Sequence, residues 1–437
     1  MKPPASGRWV PGNRWDELDG VWPNAPPTVS VVVLHYRQPR ELARTLAALD
    51  RQTHPSQKTE IIVVDDGSPQ PPEVPAGVAL VRGEGNSGRR GAVRNRGAAR
   101  CRGDVLCFLD ADTTPEPDYL RQLTRLPALA PEAVVVGHRR HADLRTVAVD
   151  APIADVGPAH ELSEPAWLRD GYKQTRDLLN ADDRSYRFVI SAVLGCTRWF
   201  FEDTRGFAEE FDQYGGEDWE WAHRAWQRGA LLAHVPTAVA WHDGPQWASR
   251  PTYPDARRAI KNAEAIALSR LVPVAGSRGH AVQPERAEII ARLPEDTSAP
   301  AAFVCVDSLL TVLPEAVVIV AEAIAAIFAG DNRVMASSSV GGPRLTGSRL
   351  TIEIIAPVRV RHGGLRSTCG QLAGDRFGVC TISDDAGPLL AVISARHQAR
   401  VRRWGASAGF PTLAVSADWL TRLTDEPDVE TYLGGWD

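Results

Sequence analysis

The sequence has few of the features that would place a protein in a class at once. Its six cysteines include no CxxC pair and no histidine at zinc-like spacing, which argues against a structural zinc motif or a disulfide framework. The net charge of −5 gives no reason to expect nucleic acid or an anionic membrane as a partner. The sequence also contains no repeat of solenoid period.

The chain has little that could enter a membrane. The N-terminal stretch MKPPASGRWVPGNRW has proline and polar residues where a signal peptide needs an apolar core. The apolar stretch 313–329 carries Glu315 and Glu322 and is shorter than a membrane-spanning helix. We therefore expect no transmembrane segment, a cytoplasmic location and free cysteine thiols.

The 437 residues suggest two or three domains, and the composition changes along the chain. Residues 1–27 are rich in proline, glycine and tryptophan and are expected to form an extended lead-in. Residues 28–272 alternate strand-like and helix-like stretches, whereas 273–300 have the glycine, proline and charge of a linker. Short β-like runs over 301–437 predict a smaller C-terminal α+β domain, whose role stays open.

Continuous apolar runs predict buried strands in the second segment. The three runs do not alternate with polar residues as a half-exposed strand would, so they fit parallel strands covered on both faces. They are Val29–Leu34, Glu60–Val64 and Val105–Leu109. Apolar residues at helical spacing over 39–52 predict a helix between the first two runs. Strands that alternate with helices predict an α/β fold with a mostly parallel sheet.

Acidic residues stand where these strands end. Asp65 and Asp66 close the second strand, and Asp110 and Asp112 follow Val105–Leu109. Ligands of open α/β sheets bind beyond the carboxyl ends of the strands. Paired carboxylates there suit a hard divalent cation that in turn holds a diphosphate. The alternative is that these acids form ordinary turns that end the strands.

A second pattern points to a different chemistry. Gly83-Glu-Gly-Asn-Ser-Gly88 has the GxGxxG spacing of dinucleotide-binding turns, and Asp110 ends the next strand. The preceding strand is short and is not the first of the sheet, and the helix that follows is rich in arginine. A nicotinamide or flavin enzyme would also leave Asp112 without a role, so this is the weaker interpretation.

Gly215-Gly-Glu-Asp218 opens a predicted helix. The glycines allow another molecule to approach the backbone closely. The helix dipole favours ionised carboxylates in the first turn, and an ionised carboxylate can accept a proton from an attacking hydroxyl. The alternative is a helix start with a favourably placed acid pair and no catalytic role.

Five motifs in order resemble the family 2 glycosyltransferases, which have the GT-A fold. They are Val29-Ser-Val-Val-Val33, Val64-Asp-Asp-Gly-Ser68, Asn86-x-Gly88 with Ala92-Val-Arg-Asn-Arg-Gly97, Phe108-Leu-Asp-Ala-Asp112, and Gly215-Gly-Glu-Asp218. The resemblance covers residues 29–242 and is strongest to the chondroitin-polymerase and β-galactosyltransferase branch. It implies a GT-A nucleotide-diphospho-sugar transferase domain with a Rossmann-like sheet.

The resemblance implies roles for residues on the donor side. His35 and Tyr36 would line the nucleotide base, and Asp66 would accept a hydrogen bond from a uracil ring. Arg94 would lie near the base or the donor phosphate, and Asp110 would contact the ribose or the sugar.

The resemblance also implies a metal and a catalytic base. Asp112 would bind Mn²⁺ or Mg²⁺ with His242, and an imidazole ligand favours Mn²⁺ because it is the softer donor. Asp243 is the alternative second ligand. Asp218 would be the base of an inverting transfer, and Glu217 would bind the acceptor.

The sequence therefore predicts a metal-dependent inverting glycosyltransferase with a nucleotide-sugar donor, UDP being favoured. The acceptor is unknown and could be a glycan, a natural product, a peptide or a lipid-linked molecule. Leu34-His-Tyr-Arg37 and Cys196 depart from the common family pattern, so nucleotide and sugar stay open. The alternatives are a catalytically silent nucleotide-sugar-binding protein and a nucleotidyltransferase, although Leu34–Pro39 lacks the glycine-rich loop of the latter.

Overall fold

The computed structural model describes residues 4, 7–83, 89–211, 215–245, 254–339, 341–361, 363–374, 376–416 and 418–434, with backbone only at 254–257 and 343. The chain divides into two compact units. The first comprises Met1–Trp226 and Ala230–Leu268, and the second comprises Gln227–Gly229 and Ser269–Asp437.

The elements up to residue 271 alternate between strands and helices, as the apolar runs predict. The strands are β1 (Val29–His35), β2 (Thr59–Asp65), β3 (Ala79–Arg82), β4 (Val105–Asp110), β5 (Thr113–Pro115), β6 (Ala133–Ala142), β7 (Glu161–Leu162), β8 (Val193–Thr197) and β9 (Leu231–Asp243). The helices are α1 (Pro39–Asp50), α2 (Arg90–Ala98), α3 (Tyr119–Leu129), α4 (Ile153–Ala159), α5 (Ala166–Thr175), α6 (Arg198–Asp203), α7 (Glu217–Gln227) and α8 (Pro254–Leu271).

These strands form one mixed sheet, which has nine strands in the part of the chain that the structure describes. Its order is β3-β2-β1-β4-β8-β6-β9-β5, with β7 paired to β6. The first four strands in that order run parallel, as predicted. Strand β8 is antiparallel to both of its neighbours, and β6 and β9 again run parallel. Every residue of β1 is buried, which fits a central strand covered on both faces.

A short strand follows the Asp110–Asp112 motif directly. Thr113–Pro115 pairs antiparallel with β9, and Thr113 lies opposite His242. The pairing brings Asp112 next to the end of β9, more than a hundred residues further along the chain. The register between β5 and β9 therefore brings these two parts of the chain together.

Helix α2 packs unusually close to the sheet at Gly97. A Cβ atom on Gly97 would lie 2.5 Å from Cγ1 of Val32 and 2.7 Å from Cγ2 of Val64, closer than carbon atoms can approach. The glycine of the Ala92–Gly97 motif thus sets the distance between α2 and strands β1 and β2, and with it the position of the side chains on α2.

We expect Gly97→Ala to destabilise the first unit by about 1–3 kcal/mol through overpacking, although alanine is the better helix former. Urea unfolding monitored by tryptophan fluorescence measures the change. Val32→Ala added to Gly97→Ala should recover part of the loss, because it removes one of the two contacting side chains. A Gly97→Ala protein as stable as the wild type would contradict this account of the packing.

The second unit has its own sheet. Its strands are β10 (Ile289–Arg292), β11 (Ala316–Val320), β12 (Val334–Ala336), β13 (Leu350–Ile354), β14 (Val358–Val360), β15 (Val379–Asp384), β16 (Gly387–Ser394), β17 (Thr412–Ser416) and β18 (Leu420–Arg422). Its helices are α9 (Ala299–Val312), α10 (Gly364–Gln371), α11 (Ala395–Trp404) and α12 (Val429–Tyr432). The described strands give the order β12-β11-β10-β13-β16-β15-β17, and β14 pairs with β18.

Two segments that the sequence assigns to a lead-in and to a linker make specific contacts. The Asn13 amide donates to Leu178 O at 2.6 Å and Leu232 O at 2.9 Å, which joins the lead-in at this residue to the first unit. Within 273–300, β10 lies between β11 and β13, and its first three residues are buried. The short apolar run Ile289–Ala291 carries no flanking pattern that marks it as a central strand.

The described residues include no helix that combines the length and apolarity needed to cross a membrane. All six cysteines are buried and free.

Candidate active site

The carboxyl ends of β1, β2 and β4 meet at one edge of the first sheet. His35 lies opposite Asp65, and Leu34 lies opposite Asp110. The acidic residues that the sequence places after separate strands are therefore neighbours in space. This edge is where open α/β sheets bind their ligands.

Asp65 holds the turn that follows β2. Its carboxylate accepts hydrogen bonds from the Ser68 backbone N–H and hydroxyl and from Arg82 Nε. Burial raises the pKa of Asp65, but Ser68 and His35 outweigh it and hold the pKa below the ordinary value. A carboxylate bonded in this way holds the turn in place.

His35 serves the same turn. It is 1% exposed, its Nε2 accepts from the Gln38 backbone N–H at 3.2 Å, and its Nδ1 donates to Asp65 at 2.9 Å. Both ring nitrogens are thus bonded within the protein, and the lining of a nucleotide base by His35 stays a prediction. Tyr36 is half-buried, and the guanidinium of Arg37 lies 5.0 Å from its ring centre.

Arg94 joins two predicted site motifs. One guanidinium nitrogen donates to Asp110 Oδ1 at 2.7 Å, and the other donates to Glu217 Oε1 at 2.9 Å. The Arg94 side chain is only 2% exposed, whereas that of Asp110 is 23% exposed. Arg94 therefore bridges the end of β4 and the start of α7, and its expected place near the base or the donor phosphate stays a prediction.

Two further residues of α2 fix this bridge. The Asn95 amide donates to Phe207 O at 2.9 Å and accepts from Phe207 N at 3.0 Å, which ties α2 to the segment before α7. A Cβ on Gly91 would lie 2.8 Å from Ala208 O, so glycine is required for this approach. Most of the GxGxxG stretch, residues 84–88, lies outside the described residues.

Asp112 and His242 form a second pair at the same edge. Asp112 Oδ1 lies 3.3 Å from His242 Nδ1, and Asp112 Oδ2 accepts from Gln38 Nε2 at 2.8 Å. Burial raises the pKa of Asp112, but His242 and Gln38 outweigh it and hold the pKa well below the ordinary value. Asp112 is therefore an anion at neutral pH.

Asp243, the alternative metal ligand, is engaged elsewhere. Its carboxylate accepts from Arg44 at 2.9 Å and from the Leu144 backbone N–H at 2.9 Å. The neighbouring His141 meets the His242 ring edge-on at 4.9 Å, and burial lowers its pKa to about 3, which keeps it neutral. Among the described residues, no group of three or more His, Cys, Asp and Glu side chains could hold a metal.

The donor chemistry of Asp112 and His242 nevertheless fits a divalent cation. A carboxylate oxygen and an imidazole nitrogen 3.3 Å apart are spaced as two ligands of one ion can be. Two protein ligands leave the other positions to phosphate oxygens and water, as is common for cations bound together with a diphosphate.

Asp218 lies in the first turn of α7, next to Glu217. Its carboxylate accepts from the Ser191 backbone N–H at 3.2 Å and from its own neighbour Trp219 N at 2.9 Å. Burial, with Glu217 and Glu264 nearby, raises the pKa of Asp218 to about 7, although Ser191 and Arg94 lower it in part. A carboxyl group with this pKa can exchange a proton near neutral pH.

The sequence does not identify three residues that shape the site. Gln38 contacts Asp112, Ser191 contacts Asp218, and Glu264 on α8 raises the pKa of Asp218. A lone glutamine, serine or glutamate carries no motif. For Gln38 alone, the sequence gives a reason to expect a place near the site, because Gln38 lies just after the carboxyl end of β1.

Family models match the region in which the site lies. Residues 30–179 match the model described as glycosyl transferase family 2, and residues 178–240 match the one described as the N-terminal domain of galactosyltransferase. Together the two matches run from the second residue of β1 through most of β9. They contain every residue named in the description of the candidate active site except His242, Asp243 and Glu264.

Individual proteins are similar over the same region. The chain is 27% identical to a chondroitin synthase from Escherichia coli, over 56% of this chain and 38% of that protein. It is 23% identical to a hyaluronan synthase from Pasteurella multocida, over 53% and 26%. The chain thus matches only about a quarter to two fifths of the length of these relatives.

Solved structures give a weaker likeness. A mannosyltransferase from Pyrobaculum calidifontis, solved with GDP-Man and Mn²⁺, is 19% identical and covers 59% of this chain and 66% of its own, with a TM-score of 0.38. That TM-score is too low for a comparison of binding sites. The family models and the relatives carry the comparison: residues 30–179 match glycosyltransferase family 2, and about half of the chain is similar to chondroitin synthases.

Proposed function

We propose that this protein transfers a sugar from a nucleotide diphosphate donor, UDP being favoured, to an acceptor hydroxyl with inversion at the anomeric carbon. The observation that carries the proposal is the Arg94 bridge between Asp110 and Glu217. It ties the strand end that faces a donor to the acidic turn that holds Asp218, so donor and base are positioned by one buried cation.

On the donor side, Tyr36 and Asp66 would meet the base and Asp110 would meet the ribose or the sugar. The 23% exposure of the Asp110 side chain supports this role, because one face remains open after Arg94 has bonded. The hydrogen bond between His35 and Asp65 holds the turn in place.

Asp112 and His242 would hold Mn²⁺ or Mg²⁺ against the donor diphosphate. The bound cation would neutralise charge on the departing nucleotide diphosphate. Gln38 keeps the Asp112 carboxylate oriented toward His242.

Asp218 would act as the base. The acceptor oxygen forms a bond to the anomeric carbon, the bond from that carbon to the donor phosphate breaks, and the hydroxyl proton passes to Asp218. A single displacement of this kind inverts the anomeric centre. A pKa of about 7 leaves a substantial ionised fraction at neutral pH and matches the demand on a general base.

The second candidate is a nucleotide-sugar-binding protein without activity. The acidic turn favours the enzyme, because Glu217 is tied by Arg94 to Asp110 and the adjacent Asp218 has a pKa that burial raises, a combination common at catalytic sites. An assay of transfer and hydrolysis with UDP-sugars and Mn²⁺ separates the two. Thermal shifts with a nucleotide panel name the donor, because ligands that bind the folded state raise the melting temperature. Donor binding without any turnover would favour the silent protein.

We expect His242→Ala to raise the Mn²⁺ concentration for half-maximal activity at least tenfold, since even loss of a supporting contact lowers metal affinity about 10–100-fold. A metal titration of the initial rate measures it. His160→Ala, at an exposed histidine, is the matched control and should leave the titration unchanged. An unaltered Mn²⁺ curve in His242→Ala would remove His242 from the metal site.

A further inference from the structure

One large apolar side chain near the acidic turn has no evident structural reason to be exposed. Trp167 is 45% exposed and lies in the first turn of α5. Its ring contacts that of Trp219 edge to face, with 6.1 Å between ring centres and 71° between ring planes. Trp219 directly follows Asp218 in the chain, so the exposed indole contacts the residue next to the proposed base.

One segment, residues 188–191, contacts both the helix that carries Trp167 and the Asp218 carboxylate. The Tyr172 hydroxyl on α5 donates to Phe188 O at 2.8 Å. A Cβ on Gly171 would collide with the Phe188 ring, which shows how closely α5 packs against this segment. Three residues further, the Ser191 backbone N–H donates to Asp218.

Trp219 is supported from its other side. The Tyr186 ring is fully buried and meets Trp219 at 6.3 Å and 74°. Tyr186 also meets the His223 ring on α7 at 5.5 Å. The Trp219 indole is therefore packed between the Tyr186 and Trp167 rings, and a surface supported in this way binds a ligand with little loss of side-chain freedom.

We propose that Trp167, backed by Trp219, is a stacking subsite for the acceptor, and that the acceptor is a carbohydrate whose pyranose ring lies on the Trp167 indole. The proposal rests on the proposed function and names its acceptor class. A pyranose presents a face of C–H groups to the electron-rich face of an aromatic ring, while its hydroxyls remain free to reach water and the base.

The surroundings argue against a lipid chain as the group bound here. A lipid needs a continuous apolar surface. Among the described residues of the first unit, the other large exposed hydrophobic side chains are Trp22 in the lead-in and Ile266 on α8, neither of them on α5 or in the Ser185–Ser191 segment. A single exposed indole that packs on Trp219 suits one flat, amphipathic ring.

The test uses the full-length protein, UDP-sugars as donors, and methyl β-pyranosides and short oligosaccharides as acceptor probes. We expect wild-type transfer to at least one saccharide probe. Trp167→Ala should raise its KM about tenfold, with kcat, donor KM and donor hydrolysis within about twofold. Trp167→Phe should recover most of the affinity because it keeps an aromatic face. Trp22→Ala, at a tryptophan with a similar 40% exposure, is the matched control and should change nothing.

The outcomes separate this proposal from the function on which it rests. An unchanged acceptor KM in Trp167→Ala overturns it, and so does a rise in donor KM of the same size, which would assign Trp167 to the donor. Donor hydrolysis by the wild type with transfer only to peptide or lipid-linked probes overturns the carbohydrate acceptor and leaves the glycosyltransferase standing. Absence of both hydrolysis and transfer with every donor overturns the proposed function itself.

Discussion

Asp218→Asn is expected to lower kcat for sugar transfer by about 10²–10⁴-fold, the range that a positioned general base contributes. Asparagine keeps the size of the side chain and can still accept from the Ser191 N–H, so the loss comes from chemistry and not from misfolding. Initial rates at saturating donor and acceptor measure the effect. A fall in kcat and kcat/KM together would mark an interaction that matters in the transition state.

The matched measurement is nucleotide affinity. Asp218 has no proposed contact with the donor, so UDP should bind Asp218→Asn within a few-fold of the wild type. Asp170→Asn, at an exposed acid on α5, should retain full activity. A large loss of UDP binding in Asp218→Asn would contradict the assignment of Asp218 as the base and would place it on the donor side.

The pH profile of the wild type gives an independent check on the same residue. The base must be ionised, so kcat should rise with pH through about 7, the value to which burial and Glu217 raise the pKa of Asp218. A raised carboxyl pKa also means that the folded state resists ionisation at this position. Protonated Asp218 stabilises the folded state, and this contribution is lost as pH rises through about 7. Above that pH, Asp218→Asn should therefore melt at an equal or higher temperature than the wild type.

The sequence predicts much of the first sheet and of its ligand-binding edge. The apolar runs that become β1, β2 and β4 are continuous, and a strand buried on both faces must be so. The acids that follow them must converge wherever parallel strands are neighbours. The separation of Asp110 and Asp112 into different roles is a proposal from the resemblance, and the distinct partners Arg94 and His242 support it.

Other features depend on contacts that no local pattern encodes. Arg94 meets Glu217 across 123 residues, and only the packing of α2 on the sheet decides that a motif arginine faces carboxylates instead of solvent. His35 could point toward a ligand or toward Asp65, and the β1–β2 register selects the second. Helix α5 has three buried residues, Leu168, Gly171 and Tyr172, too few for a clear periodic signal.

The Arg94 bridge leads to the second large expected effect. Arg94→Met removes the cation between Asp110 and Glu217, and Glu217 is 5% exposed. A buried carboxylate left without its partner destabilises a protein by about 3–5 kcal/mol, whereas an apolar replacement of both partners can be nearly neutral. We therefore expect the first unit of Arg94→Met to lose about that much stability in urea unfolding.

Activity should fall as well, by at least about 100-fold, because Asp110, the proposed donor contact, and the turn that carries Asp218 lose their common anchor. The residual activity should require a higher pH than the wild type. Arg94 lowers the pKa of Asp218, so its removal leaves burial and Glu217 to raise that pKa above about 7. The rising limb of the pH profile therefore moves to higher pH. A general loss of folded protein would lower the activity without this shift.

A double variant separates the two effects of the bridge. Glu217→Gln in the Arg94→Met background removes the uncompensated anion, so most of the stability should return while transfer stays low. The Glu217 charge also contributes to the raised pKa of Asp218, and its removal should move the pH profile back toward lower pH. If Arg94→Met unfolds at the wild-type urea concentration, the bridge is not an energetically significant buried pair. If activity returns with stability in the double variant, Arg94 stabilises the fold and has no part in positioning Asp110 and Asp218.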